Sequence, residues 1–216
     1  GMAHNTVNVI NGTAHCASKG MTIFMEGTPA HASQPEDGIN PAFAMAKIID
    51  TIDVFTSVEH NKGMVLCTVV HVNIGEKAFG VSASKGELLL TIRALYEEDL
   101  DKLQHNLEEL TLSLAKQYGL KASFSYNDVF PETVNHKESS DKIRVACKNK
   151  GINLIEMKQA FRASEDFGHY LKETKGAIFY IGNGEEYPPI HTVEYDFRDD
   201  VIETAVELFK GLIEIS

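Results

Sequence analysis

Residues 87–126 read ELLLTIRALYEEDLDKLQHNLEELTLSLAKQYGLKASFSY, and this stretch decides the fold of the first half of the chain. The apolar, β-branched run at residues 87–94 predicts a strand. Leucines then recur at spacings of three and four, which predicts a helix that Gly119 ends. Apolar residues alternating with serine at positions 122–126 predict one more strand.

The residues before this stretch predict a matching half. Residues 21–26 alternate like a short strand, and residues 64–74 form a long β-branched run that predicts another strand. Between them, apolar residues at helical spacing predict a helix: Ile39, Phe43, Ala46, Ile49, Ile52 and Phe55. The resulting order, β-α-β-β-α-β, is that of a ferredoxin-like unit.

The last ninety residues predict α/β alternation. A first helix is expected from Ser139 or Ser140 through Lys150. A second, short helix is expected after a Ser164 cap, with Glu165 and Asp166 in its first turn. A third is expected to begin at Asp199 or Asp200, with an apolar face of Val201 or Ile202, Ala205, Phe209 and Leu212 or Ile213. Residues 177–181 predict a buried strand in a partly parallel sheet. One strand is too few for such a layer, so part of the domain is absent or comes from the first twenty residues.

Composition excludes several function classes. The 216 residues carry 31 acidic and 20 basic side chains, a net charge of −11, so nucleic acid and acidic lipid surfaces are poor partners. The three scattered cysteines favour a reducing compartment. No apolar run approaches the roughly 20 residues of a membrane span, and no signal peptide is recognisable. We therefore expect a cytoplasmic protein.

Three histidines lie in suggestive places. His31 lies in the turn after the first predicted strand, His191 lies between the buried strand and the last helix, and His4 lies beside Asn5. Taken singly, each is better interpreted as an ordinary surface or hydrogen-bonding histidine. Arg93 could likewise pair with an acid on the adjacent helix, and Glu165 could simply belong to a helix cap.

The joint pattern changes this interpretation. The motifs occur in a fixed order: Gly27-x-x-Ala30-His31-Ala32-Ser33-x-Pro35-x-x-Gly38-x-Asn40-Pro41, Thr91-Ile92-Arg93, Ser164-Glu165-Asp166-Phe167, Ile181-Gly182, and His191 ahead of Tyr195-Asp196-Phe197. Over essentially the whole chain this order resembles the two-metal amidohydrolase and peptidase superfamily of aminoacylase, carboxypeptidase G and succinyl-diaminopimelate desuccinylase. The branch of hippurate and auxin-conjugate hydrolases is the most similar.

The resemblance implies a ferredoxin-like lid inserted in a metal-binding α/β domain. Residues 18–126 would be the lid and dimerisation domain. Residues 1–17 and 127–216 would be part of the catalytic domain. In this family the lid also forms a homodimer contact.

The resemblance also implies roles for single residues. His4 and His191 resemble metal ligands, and His31 resembles the lid histidine that stabilises the oxyanion in the partner subunit's site. Arg93 resembles the arginine that holds the substrate carboxylate. The acidic pair Glu165 and Asp166 lies where the family has an acidic helix start near the substrate.

Two departures from the family pattern stand out. Gly80 occupies the position, thirteen residues before Arg93, where the family commonly has a substrate-binding asparagine. In the family, a Cys-x-His or His-x-Asp ligand motif and an adjacent glutamate pair precede the position of His4. The ligand motif is absent from these residues, and none of the pairs Glu97-Glu98, Glu108-Glu109 and Glu185-Glu186 has the right place in the order. A catalytic zinc ion needs about three protein ligands, and a general base must accept the proton of the zinc-bound water. The missing motifs would supply both.

The intact protein is therefore expected to hydrolyse the amide bond of N-acyl amino acids or small peptides with two divalent metal ions, zinc, manganese or cobalt. This chain is expected to be an inactive, truncated form. The alternative is a non-catalytic ferredoxin-like module for dimerisation or small-ligand binding.

Overall fold

A computed structural model describes residues 1–215 of the chain. In order, its strands and helices are β1 (Val7–Val9), β2 (Gly12–His15), β3 (Ala17–Glu26), β4 (Ala30–His31), α1 (Ala42–Thr56), β5 (Val65–Ile74), β6 (Val81–Ser82), β7 (Lys85–Ala94), α2 (Glu97–Tyr118), β8 (Lys121–Phe130), β9 (Thr133–Asn135), α3 (Lys137–Lys150), β10 (Leu154–Glu156), α4 (Phe167–Glu173), β11 (Tyr180–Ile181) and α5 (Ile202–Glu214). Short 3₁₀ turns cover Pro35–Asp37, Val58–His60 and Asp199–Val201.

The chain forms two compact units. One consists of residues 16–132, and the other combines residues 1–15 with the stretch from Thr133 onward. The predicted boundaries fell after residues 17 and 126. The observed divisions fall at the start of β3 and just beyond β8, because both strands belong entirely to one sheet.

The unit of residues 16–132 has the predicted ferredoxin-like fold. Its antiparallel sheet has the order β5-β7-β3-β8. Helices α1 and α2 follow β3 and β7 along the chain, which gives the predicted β-α-β-β-α-β connectivity. We call this unit the lid.

Strand β7 shows why the lid sheet has one buried face. From Gly86 to Ala94 every second residue is buried, including Leu88, Leu90 and Ile92, so the alternate residues, Arg93 among them, lie on the opposite face. Buried leucines of α2, such as Leu107, belong to the same hydrophobic core. Each such side chain contributes roughly 2 kcal/mol of burial free energy.

Gly119 ends α2 as predicted. Its φ of 72° is in the left-handed region, and its N–H meets carbonyls of the last helical turn. Glycine adopts this backbone conformation without the steric cost of a Cβ.

The second unit is built on a small mixed sheet. Strand β1 lies in the centre, parallel to β10 and antiparallel to β11. The first residues of the chain therefore supply the central strand, one of the two alternatives left open by the sequence. Strands β2 and β9 form a separate antiparallel pair.

Several local predictions for this unit are wrong. Helix α3 begins at Lys137, so Ser139 and Ser140 lie inside it, and Ser140 is buried. Helix α4 begins at Phe167 with Asp166 as its N-cap residue, so Ser164 does not cap it. Only Tyr180–Ile181 of the predicted strand is paired.

The predicted buried face of α5 is confirmed in part. Val201 is buried and Leu212 packs against the core, whereas Phe209 is exposed. Leu208 and Gly211, which were not predicted, are buried on the helix, and a Cβ at Gly211 would lie 3.2 Å from Ala146 Cβ of α3. Among the described residues no helix combines the length and apolarity needed to cross a membrane.

Candidate active site

His31 lies in a short ribbon at one end of the lid. Strands β4 and β6 pair His31 with Val81, and the Ala32 amide donates to the Gly80 carbonyl at 3.0 Å. The structure thus brings together two residues singled out from the sequence, His31 and Gly80. Both are exposed.

The imidazole of His31 is held by Ser33. The Ser33 backbone N–H donates to His31 Nδ1 at 3.2 Å, and Ser33 Oγ lies 2.7 Å from the same nitrogen. Because an N–H donor needs a lone pair to meet, Nδ1 of the neutral ring is the acceptor, and Nε2 carries the proton. The imidazole of His31 is therefore exposed and can donate a hydrogen bond through its Nε2–H.

Gly80 has room for a side chain. A Cβ built at this position meets no atom within 4 Å, and the backbone is outside the left-handed region. Nothing in the lid itself requires glycine here. The missing asparagine is therefore a missing donor and not a consequence of crowding.

Arg93 lies near the other end of the sheet, on the face away from the helices. Ser18 of β3 and Leu66 of β5 are its cross-strand partners. Eight residues of β7 separate Arg93 from Lys85, which corresponds to roughly 27 Å at about 3.4 Å per residue. The ribbon that carries His31 is attached at the Lys85 end, where the Gly27 amide donates to the Ser84 carbonyl.

In the other unit, His4 pairs with an acid. His4 Nε2 lies 3.0 Å from Asp200 Oδ1, and Arg198 Nε lies 3.2 Å from the same oxygen. The hydrogen bond from His4 is the main reason why the pKa of Asp200 lies below its usual value, with Arg198 adding to it. Histidines that bind a metal often also form a hydrogen bond to a carboxylate. This pairing indicates a metal site only where further metal-ligating side chains lie close to the imidazole.

Both ends of the loop that carries His191 contact His4 or its neighbour Asn5. At its start, the Asn5 amide donates to the Gly182 carbonyl at 2.8 Å. At its end, Asp200 binds the His4 ring. A Cβ at Gly182 would lie 1.9 Å from the Ala3 carbonyl oxygen, so only glycine permits this close approach. His191 is exposed and has a φ of 67°, uncommon for a residue with a side chain.

Glu165 and Asp166 are exposed just before α4. The Asp166 carbonyl accepts the His169 amide at 2.9 Å. Burial lowers the pKa of His15, and the charge of Glu165 opposes that shift. Burial also raises the pKa of Tyr180, and Glu165 adds to that increase. His15 was not singled out from the sequence. No motif marks it, since only the tertiary structure buries it beside this segment.

The donor set does not fit a two-metal centre. Within residues 1–215 no three His, Cys, Asp or Glu side chains come together in a group that could hold a metal ion. A catalytic zinc site takes about three protein ligands and a water molecule. His4 and Asp200 alone fall short of this requirement.

The lid has the fold of a known class of dimerisation domain. Residues 13–119 match the peptidase dimerisation domain family. A protein from methicillin-resistant Staphylococcus aureus has a solved structure with a TM-score of 0.88 at 19% identity, covering 98% of this chain and 56% of its own. The YXEP protein of Bacillus subtilis, described as a dinuclear metal-binding peptidase from the M20 family, has a TM-score of 0.78 at 19% identity, covering 99% and 54%.

A sequence relative agrees with this fold. The N-acetyldiaminopimelate deacetylase of Bacillus pumilus is 26% identical over 191 residues, which is 87% of this chain and 50% of the relative. Residues 13–119 thus belong to the peptidase dimerisation domain family, and the relatives of the longer stretch include an amide-cleaving deacetylase, which agrees with the superfamily predicted from the motifs. It spans about half the length of the curated relatives that it matches.

Proposed function

We propose that the protein to which these residues belong hydrolyses the amide bond of N-acyl amino acids or small peptides. The peptidase dimerisation domain and the similarity to an N-acetyldiaminopimelate deacetylase support the reaction class. The observation that carries the proposal is the state of His31, an exposed imidazole whose Nδ1 is occupied by Ser33 and whose Nε2–H is available.

His31 would stabilise the oxyanion. When the acyl carbon becomes tetrahedral, negative charge develops on its oxygen, and a fixed N–H donor stabilises that charge more than the starting carbonyl. The Ser33 contacts hold the ring orientation and the tautomer that this task needs. Gly80 would leave the substrate without the amide donor that the family usually places beside this histidine.

Arg93 would bind the substrate carboxylate. A guanidinium can make two parallel hydrogen bonds to a carboxylate, which fixes both the position and the orientation of an amino acid. The cross-strand neighbour Ser18 lies on the same face of the sheet and is buried. Glu165 and Asp166 are proposed to lie near the amino acid portion of the substrate.

We further propose that the working form is a homodimer through the lid. One edge of the sheet is β5, in which Val69, Val70 and Val72 are exposed. An exposed apolar edge strand is a ready surface for pairing with a second chain. An N-acyl amino acid is too short to span one lid sheet, so His31 would act in the partner subunit's site.

His4 and His191 are proposed as two of the metal ligands of the intact enzyme, which would use two divalent ions such as zinc, manganese or cobalt. The anchoring of both ends of the His191 loop at His4 supports their convergence. The remaining ligands and the catalytic base would have to come from outside these residues. We therefore propose that this chain alone does not turn over substrate.

A hydrolysis assay tests the proposal in two arms. The chain alone, with N-acetyl and N-benzoyl amino acids and added zinc, cobalt or manganese, is expected to show no turnover. A longer protein translated from the reading frame upstream of Gly1, if it adds Cys-x-His or His-x-Asp and a glutamate pair, is expected to be active, and His31→Gln should lower kcat about 100-fold. Activity of the chain alone, or an inactive longer protein with those motifs, would contradict it.

The second candidate is a non-catalytic dimerisation or ligand-binding module. It is favoured by one observation, the lack of a three-donor group among residues 1–215. The two candidates differ in the longer protein, where the module predicts ligand binding and a dimer without hydrolysis.

A further inference from the structure

Three polar groups beside the segment that carries Glu165 are buried without a hydrogen-bond partner among residues 1–215. They are His15 Nε2, Thr133 Oγ1 and Tyr180 Oη. His15 and Thr133 are cross-strand partners of β2 and β9, and the rings of His15 and Tyr180 are 5.6 Å apart. Buried polar groups are nearly always paired, so three unpaired groups close together require a physical explanation.

His15 holds the start of the acidic segment. Its Nδ1 lies 3.2 Å from the Ala163 carbonyl oxygen, and its ring stacks on Phe161 at 5.4 Å. The Phe161 amide donates to the Ala14 carbonyl at 2.9 Å, next to His15 in the chain. Because a carbonyl only accepts, Nδ1 carries the proton, and the neutral ring has its lone pair on the buried Nε2.

The surroundings favour this neutral ring. Burial lowers the pKa of His15, and the Ala163 hydrogen bond and the charge of Glu165 oppose that shift. The other titratable side chains on the elements beside His15 are Tyr180 on β11, whose pKa burial raises, and Arg162 and Asp166 on the acidic segment. Strand β9 contributes none.

We propose that His15 is a positioning residue: its neutral, Nδ1-protonated ring holds residues 161–166 in place, and protonation of Nε2 releases them. The protonated ring would bring a buried N–H that meets no acceptor in the present arrangement, and this unpaired donor disfavours the packed position of the segment. Placing Glu165 and Asp166 at the substrate rests on the proposed function. The proton-dependent position of the segment does not.

The first test is an NMR titration of His15 in the full chain. We expect a pKa below the usual 6.5, and a further decrease in Glu165→Gln, since the charge that favours the imidazolium is then gone. Glu173→Gln, on the same unit in α4, is the matched control and should leave the titration unchanged. A pKa at or above 6.5, or no response to Glu165→Gln, would overturn the proposal.

The second test measures amide exchange at Phe161. His15→Phe keeps an aromatic ring and removes the Ala163 hydrogen bond, so the Phe161 amide should exchange about fivefold faster. In the wild type the same acceleration is expected as the pH falls below 6.5, with the Leu88 amide of the lid as an internal reference. Unchanged exchange at Phe161 relative to Leu88 in both cases would contradict the proposal.

These readouts do not depend on catalysis. If His15→Phe fails to fold, the wild-type titration and the Glu165→Gln shift still decide the question. If the intact protein proves inactive while His15 titrates as expected, the proposed function fails and the positioning role stands.

Discussion

Within one subunit, Arg93 and His31 lie at opposite ends of the lid sheet. Arg93 pairs with Ser18 near one end, and the ribbon that carries His31 leaves the other end, beyond Lys85. The roughly 27 Å of strand between Lys85 and Arg93 exceeds the length of an N-acyl amino acid. If both side chains serve one such substrate, as we propose, different subunits must supply them.

Arg93 is expected to be the main carboxylate contact of the lid. In NMR titrations with N-acetyl amino acids, shifts should centre on Arg93 and Ser18. Arg93→Lys should weaken binding about tenfold, because an ammonium cannot make the bidentate pair. Lys19→Ala removes a nearby cation that is engaged with Asp101 at 2.8 Å and should leave binding unchanged. Equal loss in both variants would indicate mere charge attraction.

The exposed edge of the lid is expected to hold the dimer together. Val70 is the extra residue of a bulge in β5 and is 61% exposed. Val70→Asp should therefore spare the core yet weaken the dimer at least tenfold, since a charge placed inside an interface is left unpaired. Sedimentation velocity measures this. Val129→Asp on the opposite edge strand, β8, is the control, and a monomeric wild type would contradict the expectation.

Gly80→Asn should be tolerated and should restore a polar contact to substrate. The new side chain enters open space, so the free energy of unfolding should change by less than about 0.5 kcal/mol. Gly75→Asn is the contrasting variant: Gly75 has a φ of 64°, and its Cβ would lie 2.6 Å from Ala83 Cβ. We expect it to cost about 1 kcal/mol or more in urea unfolding. Similar losses at both positions would refute the assignment of open space at Gly80.

Two cysteines are expected to resist alkylation in the folded state. Burial raises the pKa of Cys147 to about 11 and that of Cys67 to about 12. At pH 8 the reactive thiolate should therefore be rare, and iodoacetamide labelling should speed up about tenfold per pH unit until these values are approached. The same reaction in urea is the control. Rapid labelling of Cys67 at pH 8 in the native protein would contradict its raised pKa.

The pair of His4 and Asp200 predicts a pH effect of known sign. The pKa of Asp200 is lower in the folded chain than in the unfolded one, so this group stabilises the fold above its unfolded pKa, and that stabilisation is lost as pH falls through its folded pKa. His4→Ala should move the NMR pKa of Asp200 upward toward its usual value. Asp199, an exposed neighbour, provides the reference titration. An unchanged Asp200 would show that Arg198 alone sets its charge.

The sequence determined the lid almost completely. Leucine spacing in α2, alternation in β7 and the left-handed Gly119 act within a few residues, and each local preference agrees with the final packing. The motif order likewise predicted the superfamily. Predictions for the other unit were weaker, since a short strand such as Tyr180–Ile181 depends on its neighbours more than on its own residues.

Only the tertiary structure decided which side chains meet. The pairing of His4 with Asp200 joins residues 196 positions apart, and the burial of His15 follows from β2, β9 and residues 161–163 packing around it. The burial of Leu208 and Gly211 on α5, where Gly211 approaches α3 closely, was likewise not apparent from the helical pattern. Such contacts depend on the positions of distant segments, and no local periodicity encodes those positions.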